Sequence, residues 1–462
     1  MKPTDPLTYR RGYLVYEKRM APVSIPEALS HWNVHDMKDY VLIYDPCVPF
    51  DVIVDNEVFL LGTAWHVHGK PVAEVLRSSY ETSEDGLFDE LDFVAGRYLL
   101  FYRSGADDSL HVTQDAFGMK SVFYSADKRC LSSHYSLLRE VTGCKEPFED
   151  VLSLLKRKIT NNMIPGHFTP DRNVHMLTPN QTMNLNSFSW RRIFPREAYE
   201  PISVEEAVEA IDGAVSQLLH QIDQRLLVPI TAGLDSRSTL ALLRCESSHQ
   251  YFTYGKASVR SLGNDLRIAR EIARQFRMPH TTLHLRGDFG KTNEEKEFMS
   301  HLRKVTIRRH SFEVAWQYYH HFDDDYLHIR SNGYEVARRY YRQAFALTED
   351  LSVEGMARTF SRFAITDETV FDLSRQFIQQ SQLAEHLNYD PYDLYYWEHR
   401  MGTWHASLLL ESDLAHDSFI LINSRYVLKH LLSVPTDAQE QGLVQKRLIE
   451  RYAPRLLDFA IN

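Results

Sequence analysis

Cysteine is scarce in this chain, and its few occurrences form no recognisable motif. Four cysteines are spread over 462 residues, and no two of them have C-x-x-C spacing. This number and spacing argue against a disulfide framework and against a zinc cluster, and they are typical of a protein from a reducing compartment.

Long apolar runs and an excess of positive charge are also missing. No apolar stretch approaches the ~18 residues that a membrane-spanning helix needs. The first residues, MKPTDPLTYRRGYLVYEK, lack the apolar region of a signal peptide. The formal net charge is −10, whereas a nucleic-acid-binding domain would carry a basic face. These absences predict a cytoplasmic protein that binds neither membranes nor nucleic acid.

The pattern of secondary structure changes part-way along the chain, which is long enough for two or three domains. Up to about residue 190 there are short strand patterns separated by turns, as in YVLIYDPC and DVIVDNEVFLLG. A proline-marked stretch follows, and beyond it strands alternate with helices, which predicts a parallel sheet covered on both faces. We therefore predict an α/β protein with domains at 1–195 and 196–462.

Local signals place the elements of the second domain. The Ser203–Glu206 segment has the signature of a capping box at a helix start. Three strands are predicted at residues 226–230, 250–255 and 280–285. Helices are predicted at residues 203–219, 265–276, 303–320 and 392–410.

The stretch LLVPITAGLDSRSTLALL carries the strongest chemical signal. An apolar strand runs into small and hydroxyl residues, and a helix follows at once. The N–H groups at the start of a helix attract phosphate, and small residues allow it to approach the backbone. Asp235 would repel phosphate unless a cation lay between them, so it suggests a bridging magnesium ion. The alternative is that Gly233 only forms a turn and that Asp235 and Ser236 only cap the helix.

The segment TAGLDSR resembles the S-G-G-x-D-S loop of the ATP pyrophosphatases, in particular the asparagine synthetase-like family. Four further segments resemble that family in the same order along the chain: FTYG, NDLRIAREIARQFRMPHTTLHL, SRYVLKHLLSVP and QKRLIERYAP. The resemblance implies that the second domain binds ATP and magnesium and cleaves ATP between its α and β phosphates.

The first domain resembles the class II glutamine amidotransferases in the segments LDFVAGRYLLFY and VTQDAFGMKSVFY. That resemblance implies an αββα sandwich. A working amidotransferase needs cysteine as its first mature residue, but this chain begins Met1-Lys2-Pro3 and its nearest cysteine is Cys47. We therefore expect no glutamine hydrolysis. β-Lactam synthetases and lasso-peptide cyclases are similar relatives with the same loss.

The family resemblance implies roles for particular residues. Asp235 and Glu335 correspond to metal ligands, and Lys446 to the lysine that stabilises the acyl-transfer transition state. Alternatively, Lys446 is a surface lysine, and its neighbour Arg447 makes the alignment ambiguous. Glu398 either lines the acceptor pocket or belongs to a helix salt-bridge network. The implied nucleotide-binding residues are Thr231, Ala232, Gly233, Leu234, Asp235, Ser236, Arg237, Thr253, Tyr254, Gly255 and Gly333.

Two departures from the family pattern affect the proposed site. Ala232 replaces the second glycine of the loop, so this position must avoid a positive φ or the phosphate cradle is impaired. The segment IRSNGYEVARRYY stands where the family has G-A-D-E. Glu335 is its only acid, and it is either a metal ligand or an acid favoured at a helix start. Arg338 and Arg339 either meet pyrophosphate or are solvated.

Together these features predict an ATP-dependent enzyme that activates a carboxylate as an acyl-adenylate and transfers it to an amine. The substrates would be small molecules or peptides, and a homo-oligomer or a biosynthetic partner protein is compatible with the sequence. Two alternatives remain at this stage. One is an ammonia-using, asparagine synthetase-like amidase, and the other is a catalytically inactive paralogue that binds or scaffolds.

Overall fold

The computed structural model describes residues 7–20, 24–161, 163–256, 259–307 and 311–461, without the side chains of residues 260–262. The three N-terminal residues used in the prediction about glutamine hydrolysis lie outside the described residues. Within these ranges, no helix is both long and apolar enough to cross a membrane.

The first half of the chain forms two antiparallel six-stranded sheets. Their orders are β10-β8-β9-β1-β3-β2 and β12-β11-β7-β6-β5-β4. The strands are β1 (Tyr13–Glu17), β2 (Asn33–Met37), β3 (Tyr40–Tyr44), β4 (Phe50–Val54), β5 (Val58–His66), β6 (Val94–Arg103), β7 (Leu110–Gln114), β8 (Val122–Ser125), β9 (Cys130–Ser132), β10 (His175–Leu177), β11 (Gln181–Asn184) and β12 (Trp190–Arg192).

These two sheets pack face to face, because their strands carry apolar residues on both sides. On β5, Phe59 and Leu61 belong to the core between the sheets, whereas Val58 and Leu60 pack outward against helices. The helices of this half are α1 (Val72–Thr82), α2 (Glu84–Leu91), α3 (Tyr135–Thr142) and α4 (Glu149–Arg157). Leu76 of α1 and Phe88 of α2 cover the second sheet, and α3 covers the first. The layers are therefore helix, sheet, sheet and helix.

The second half is built on a parallel five-stranded sheet of order β15-β14-β13-β16-β17. The three strands predicted from the sequence are confirmed. The strands are β13 (Arg225–Pro229), β14 (Gln250–Gly255), β15 (His280–His284), β16 (Tyr326–Ile329) and β17 (Asp417–Phe419). Leu226 and Val228 pack on one face of the sheet and Leu227 on the other, so both faces are covered.

Helices surround this sheet, and their first member begins with the predicted capping box, formed by Ser203 and Glu206. The helices are α5 (Val204–Gln221), α6 (Leu234–Leu242), α7 (Arg260–Phe276), α8 (Asn293–Val305), α9 (Phe312–His321), α10 (Tyr340–Phe345), α11 (Val353–Arg358), α12 (Glu368–Gln380), α13 (Pro391–Tyr395), α14 (Ala406–Ser412), α15 (Arg425–Ser433), α16 (Thr436–Glu440) and α17 (Leu443–Tyr452). A π-helix, Tyr396–His405, joins α13 to α14, which confirms a helical segment over residues 392–410.

The single helix predicted for residues 303–320 is wrong. The structure has the end of α8 and then α9, because Thr306 takes an extended backbone with φ −126° and ψ 148°. Residues 308–310, between the two helices, lie outside the described residues. The helical residue composition continues past the end of α8, so the pattern did not reveal this break.

The two halves of the chain share buried polar contacts. Arg97 of β6 donates to both carboxylate oxygens of Asp413 and to Asp417. Asn423 accepts from the backbone N–H of Phe117 at 2.8 Å. One apolar cluster also contains residues of both halves. The boundary at residue 195 stays a prediction, although β12 ends at Arg192 and α5 begins at Val204.

Candidate functional site

The parallel sheet has a topological switch point at the carboxyl end of its central strand. β13 pairs with β14 on one side and with β16 on the other, and the chain reaches β14 through α6. In open α/β sheets, ligands bind at the topological switch point, where the connections from two neighbouring strands run in opposite directions along the sheet. The loop after β13 carries Asp235, and the turn after β16 carries Glu335. The topology thus brings the two acids to one edge.

The loop after β13 alternates between half-exposed and buried residues. Thr231, Gly233 and Asp235 are half-exposed, whereas Ala232 and Ser236 are buried. The half-exposed residues are those able to meet a ligand at the start of α6. The first N–H groups of a helix lack intrahelical partners, so this end also offers donors to an anion.

Hydrogen bonds hold the loop in place. The Thr231 and Ser236 hydroxyls lie 2.8 Å apart, and the Ala232 backbone N–H donates to Asp265 Oδ1 at 2.8 Å. Asp265 belongs to α7 and was not among the predicted site residues. The sequence signal for this contact was its place in NDLRIAREIARQFRMPHTTLHL, one of the segments that resemble the family.

The alanine in place of the second loop glycine causes no backbone strain. Ala232 is not among the residues with positive φ, and its methyl group is fully buried in the core. Gly233 itself has φ −75° and ψ 156°, which any residue adopts. The first departure from the family pattern is therefore compatible with an intact loop.

Asp235 is a half-buried acid, and one of its two carboxylate oxygens has no hydrogen-bond partner among the described residues. Its Oδ2 accepts from Arg338 Nη2 at 2.8 Å, while its Oδ1 is buried without a hydrogen-bond partner. Burial, and then the charge of Glu335, raise the pKa of Asp235 to about 7, against the opposing effect of Arg338. A second cation close to the two acids would relieve this repulsion.

Glu335 is held by the turn that precedes it. The Gly333 N–H donates to Glu335 Oε2 at 2.9 Å. Gly333 has φ +97°, and a Cβ there would meet the Phe117 ring at 2.5 Å, so both the backbone conformation and the packing require glycine. In the described part of the chain, no group of three or more His, Cys, Asp or Glu side chains can hold a metal ion. A cation between Asp235 and Glu335 would therefore need further ligands from a nucleotide and water.

Lys446 lies on α17, whose N-terminus packs against the loop. Gly442 precedes α17, with φ +62°, and a Cβ there would meet Leu234 Cδ2 at 2.9 Å and Arg338 Cδ at 3.7 Å. Lys446 follows one turn later and is half-buried, whereas Arg447 is exposed and pairs with Glu450 at 2.7 Å. Arg447 is thus engaged at the surface, and the predicted role of Lys446 stays a prediction.

Arg237 is fully buried and points to the C-terminal segment. Its guanidinium donates to the carbonyls of Leu456 at 2.9 Å and Phe459 at 2.8 Å, and to those of Ala460 and Ala232. These bonds would have to break before Arg237 could reach a phosphate. Instead, the hydrogen bond from the Arg237 guanidinium to the Ala232 carbonyl stabilises the loop.

The last residues of β14 extend beyond the end of β13, so β13 does not pair with their backbone. Pairing between the two strands ends at Pro229 and Phe252, while β14 stays paired with β15 up to Gly255. Thr253 is buried, and its hydroxyl donates to the Ile230 carbonyl at 2.7 Å. Tyr254 and Gly255 therefore extend beyond the part of β14 that β13 pairs with, and their role in nucleotide binding stays a prediction.

Glu398 is in a different environment from the loop residues. It lies on the π-helix, fully buried, and its two oxygens accept from Arg192 at 2.6 and 2.9 Å. Asn180 donates to it at 3.2 Å. Of the two roles considered from the sequence, these contacts favour the salt-bridge network over the acceptor pocket.

The raised pKa of Asp235 predicts a pH dependence of stability. Between its ordinary value of 3.8 and the folded-state value of about 7, the folded protein holds a proton that the unfolded chain has lost. The free energy of unfolding should therefore fall as the pH rises through this window. Urea unfolding at about pH 5 and about pH 8 measures this, and Asp235→Asn should reduce the difference between the two. An equal pH dependence in that variant would contradict the assignment.

Known proteins with similar sequences or folds give little further information. No protein-family model and no curated protein matches the chain. The chain is similar to an NH3-dependent NAD synthetase from Campylobacter jejuni, with 10% identity, a TM-score of 0.21, and coverage of 39% of this chain and 94% of that one. It is also similar to an NMN synthetase from Francisella tularensis, with 9% identity, a TM-score of 0.22, and coverage of 46% and 93%. TM-scores this low carry no argument about function.

Proposed function

We propose that this protein is an ATP-dependent ligase that joins a carboxylate to an amine, with AMP and pyrophosphate as products. The observation that carries the proposal is the pair of acids, Asp235 and Glu335, beside the start of α6. They follow neighbouring strands at the switch point of a parallel sheet, where such folds bind ligands. The ligand is proposed to be ATP because the loop sequence TAGLDSR resembles the loop of the ATP pyrophosphatases.

In the proposed complex, the pyrophosphate part of ATP lies against the loop. The N–H groups at the start of α6 and the Thr231 hydroxyl would donate to phosphate oxygens. The backbone of Tyr254 and Gly255 would meet the adenine. Ser236 would be the donor in the Thr231–Ser236 hydrogen bond, because a hydroxyl has only one proton to donate and Thr231 would give its proton to the phosphate.

Asp235 and Glu335 suit a magnesium ion. The unpartnered Oδ1 of Asp235 and the raised pKa of that carboxyl, caused first by burial and then by Glu335, indicate a site short of positive charge. Magnesium takes oxygen ligands and is usually held by one or two carboxylates together with phosphates and water. When bound, the ion would neutralise charge on the leaving pyrophosphate.

The chemistry proceeds in two displacements. A substrate carboxylate oxygen attacks the α-phosphorus, the bond to the β-phosphate oxygen breaks, and pyrophosphate leaves. The amine nitrogen then attacks the acyl carbon of the adenylate, AMP leaves, and the nitrogen loses a proton. Lys446 would stabilise the negative charge that develops on the acyl oxygen in this second step.

The nitrogen source is proposed to be an amine other than glutamine amide. Cys47 is an exposed residue. Even so, partial desolvation of its sulfur, and then the negative charge of Asp45, raise the pKa of the thiol. A raised pKa lowers the fraction of thiolate, which is the reactive form. Cys47 therefore lacks the activation that a glutamine-cleaving nucleophile needs.

A second candidate function has one observation in its favour. Arg338 already donates to Asp235, and an arginine beside a carboxylate can replace a metal ion as its counter-charge. A protein with that pair fixed in place would bind a nucleotide without cleaving it. This is the inactive, binding paralogue considered from the sequence.

Product analysis separates the two candidates. Purified protein with MgATP and a panel of amino acids, N-acyl amino acids and dipeptides should release AMP and pyrophosphate in the presence of the accepted carboxylate. Formation of ADP and phosphate would reject the proposal, because the loop is proposed to hold pyrophosphate as the leaving group. ATP binding in calorimetry without any pyrophosphate release across the panel would favour the second candidate.

Lys446→Ala should slow amide formation by about a hundredfold while leaving adenylation nearly intact, since the cation acts where charge develops in the second step. ATP–pyrophosphate exchange reports adenylation alone, and chromatography of the amide reports both steps. Arg447→Ala is the matched control on the same helix and should change neither. Loss of exchange in Lys446→Ala, or an amide-forming defect in Arg447→Ala, would contradict this assignment.

A further inference from the structure

A cavity of about 500 Å³ lies where the two halves of the chain meet. Its volume is within the range of ~300–1,000 Å³ that small-molecule sites usually have. Asp92 and Phe93 reach it from the sandwich, and Tyr426 and Lys429 reach it from α15. Its lining residues are different from those of the loop, the Glu335 turn and α17, so the cavity is separate from the proposed ATP site.

The walls of this junction cavity are largely aromatic. Phe93 and Tyr426 have ring centroids 5.2 Å apart, and Phe194 and Tyr389 have centroids 5.9 Å apart. Aromatic faces carry partial negative charge and attract cations as well as apolar groups. The walls therefore suit a ligand with a flat or apolar body.

Negative charge predominates around the cavity. Four carboxylates line it, against two permanent cations; the six residues are Asp89, Asp92, Glu197, Glu200, Arg196 and Lys429. His430 also lines it, and burial lowers the pKa of this histidine, so it adds no charge at neutral pH. Arg425 is a buried cation near Asp92; its Nε donates to Asn180 at 3.0 Å, and its Nη1 has no hydrogen-bond partner among the described residues. Even with Arg425 included, acids outnumber bases.

The two lining cations already have partners. Arg196 donates to Asp89 at 2.9 Å and to Asp92 at 2.7 Å, and Lys429 pairs with Glu197. Both cations therefore form ion pairs with acids of the cavity wall, and neither is left to bind an anionic ligand. Among these lining acids, within the described part of the chain, Glu200 has no ion pair, and Asp92 keeps one carboxylate oxygen, Oδ1, without a hydrogen-bond partner.

Two buried polar atoms on the wall lack hydrogen-bond partners. The Tyr389 side chain is 2% exposed, and its hydroxyl has no partner among the described residues. The same holds for Asp92 Oδ1. Burial raises the pKa of Tyr389 to about 12; the Ser433 side chain, close to the hydroxyl but without a well-formed hydrogen bond to it, opposes this rise, and the charges of Glu197 and Asp92 add to it. The hydroxyl therefore lies near both acids. A buried polar group without a partner is costly unless a ligand or water supplies one.

We propose that this junction cavity binds an organic cation, a primary amine carried on an aromatic or apolar body. The ammonium group would donate to Asp92 Oδ1 and to the Tyr389 hydroxyl oxygen, and the body would pack between the aromatic pairs. Charge-assisted hydrogen bonds of this kind are the strong ones in proteins. Because Phe93 and Tyr426 come from different halves of the chain, the amine would also join those halves.

The test compares amines with uncharged and anionic analogues of the same shape. Isothermal titration calorimetry at low salt would measure binding of tyramine, phenethylamine and tryptamine to the full chain. Tyrosol and phloretic acid replace the ammonium of tyramine by a hydroxyl and a carboxylate. We expect at least one amine to bind, and tyrosol and phloretic acid to bind at least about tenfold more weakly than tyramine. No binding by any of the three amines, or equal binding of tyramine and tyrosol, would overturn the proposal.

Variants locate the site. Asp92→Asn and Tyr389→Phe should each weaken amine binding by about tenfold. Asp92 also pairs with Arg196, so Glu200→Gln, at an exposed position, serves as a variant that leaves the packing unchanged and should weaken binding a few-fold. Asp85→Asn, an exposed acid on α2 outside the cavity, is the control. Amine binding that is unchanged in the first three variants, or weakened equally by Asp85→Asn, would place the ligand elsewhere.

Discussion

Asp235→Asn should reduce the formation of AMP and pyrophosphate by about a thousandfold or more, because asparagine cannot supply the charge that a magnesium ligand needs. The fold should survive, since the substitution removes a charge without changing volume. In the absence of nucleotide the variant should even be more stable at about pH 8, where ionised Asp235 is half-buried beside Glu335. Chromatography of the nucleotide products and thermal unfolding measure the two effects.

The matched control for this experiment is Glu246→Gln. Glu246 is an exposed acid just beyond the end of α6, so it lies on the same stretch of chain but at the opposite end of α6 from the loop after β13. The activity and melting temperature of the Glu246→Gln variant should equal those of the original protein. If Asp235→Asn cleaved ATP at the original rate, the acid would be a helix cap and the proposed function would lose its main support.

Glu398→Ala should lower the free energy of unfolding by roughly 3–5 kcal/mol, because it leaves the buried Arg192 without its partner. The pair joins β12 of the sandwich to the π-helix of the second half. Replacing both residues by methionine should be less destabilising than either single change to alanine, since no buried charge is then left alone. Denaturant unfolding of the three variants measures this.

A surface ion pair offers the comparison for Glu398. Arg157 pairs with Asp367 at 2.9 Å, and its side chain is 47% exposed. Arg157→Met should cost less than about 1 kcal/mol, because solvent screens exposed pairs. If Glu398→Ala were as stable as the original chain but defective in amide formation, Glu398 would belong to the acceptor pocket after all.

Local patterns predicted those parts of the fold that depend on neighbouring residues. The strand, turn and helix around TAGLDSR are contiguous in sequence, and the capping box of α5 involves residues three apart. Each of these elements is specified by apolar periodicity and by the groups at its ends. The alternation of strands and helices then predicted the parallel sheet.

Contacts between distant polar side chains could not be predicted in this way. Asp265 supports the Ala232 N–H from 33 residues away, and Arg192 meets Glu398 across 206 residues. No local pattern specifies which buried charges will pair, because the choice depends on how the whole chain packs. The break between α8 and α9 was missed for a related reason, since helical composition persists on both sides of it. Glu335 was found only through the resemblance.

Arg237 links the loop after β13 to residues 456–460, and this has a consequence for synthesis on the ribosome. Its guanidinium is bonded to the carbonyls of Leu456, Phe459 and Ala460, more than 200 residues further on. While translation continues, those acceptors do not yet exist, and a buried guanidinium without them is unfavourable. The loop after β13 therefore reaches its final conformation only when residue 460 has emerged.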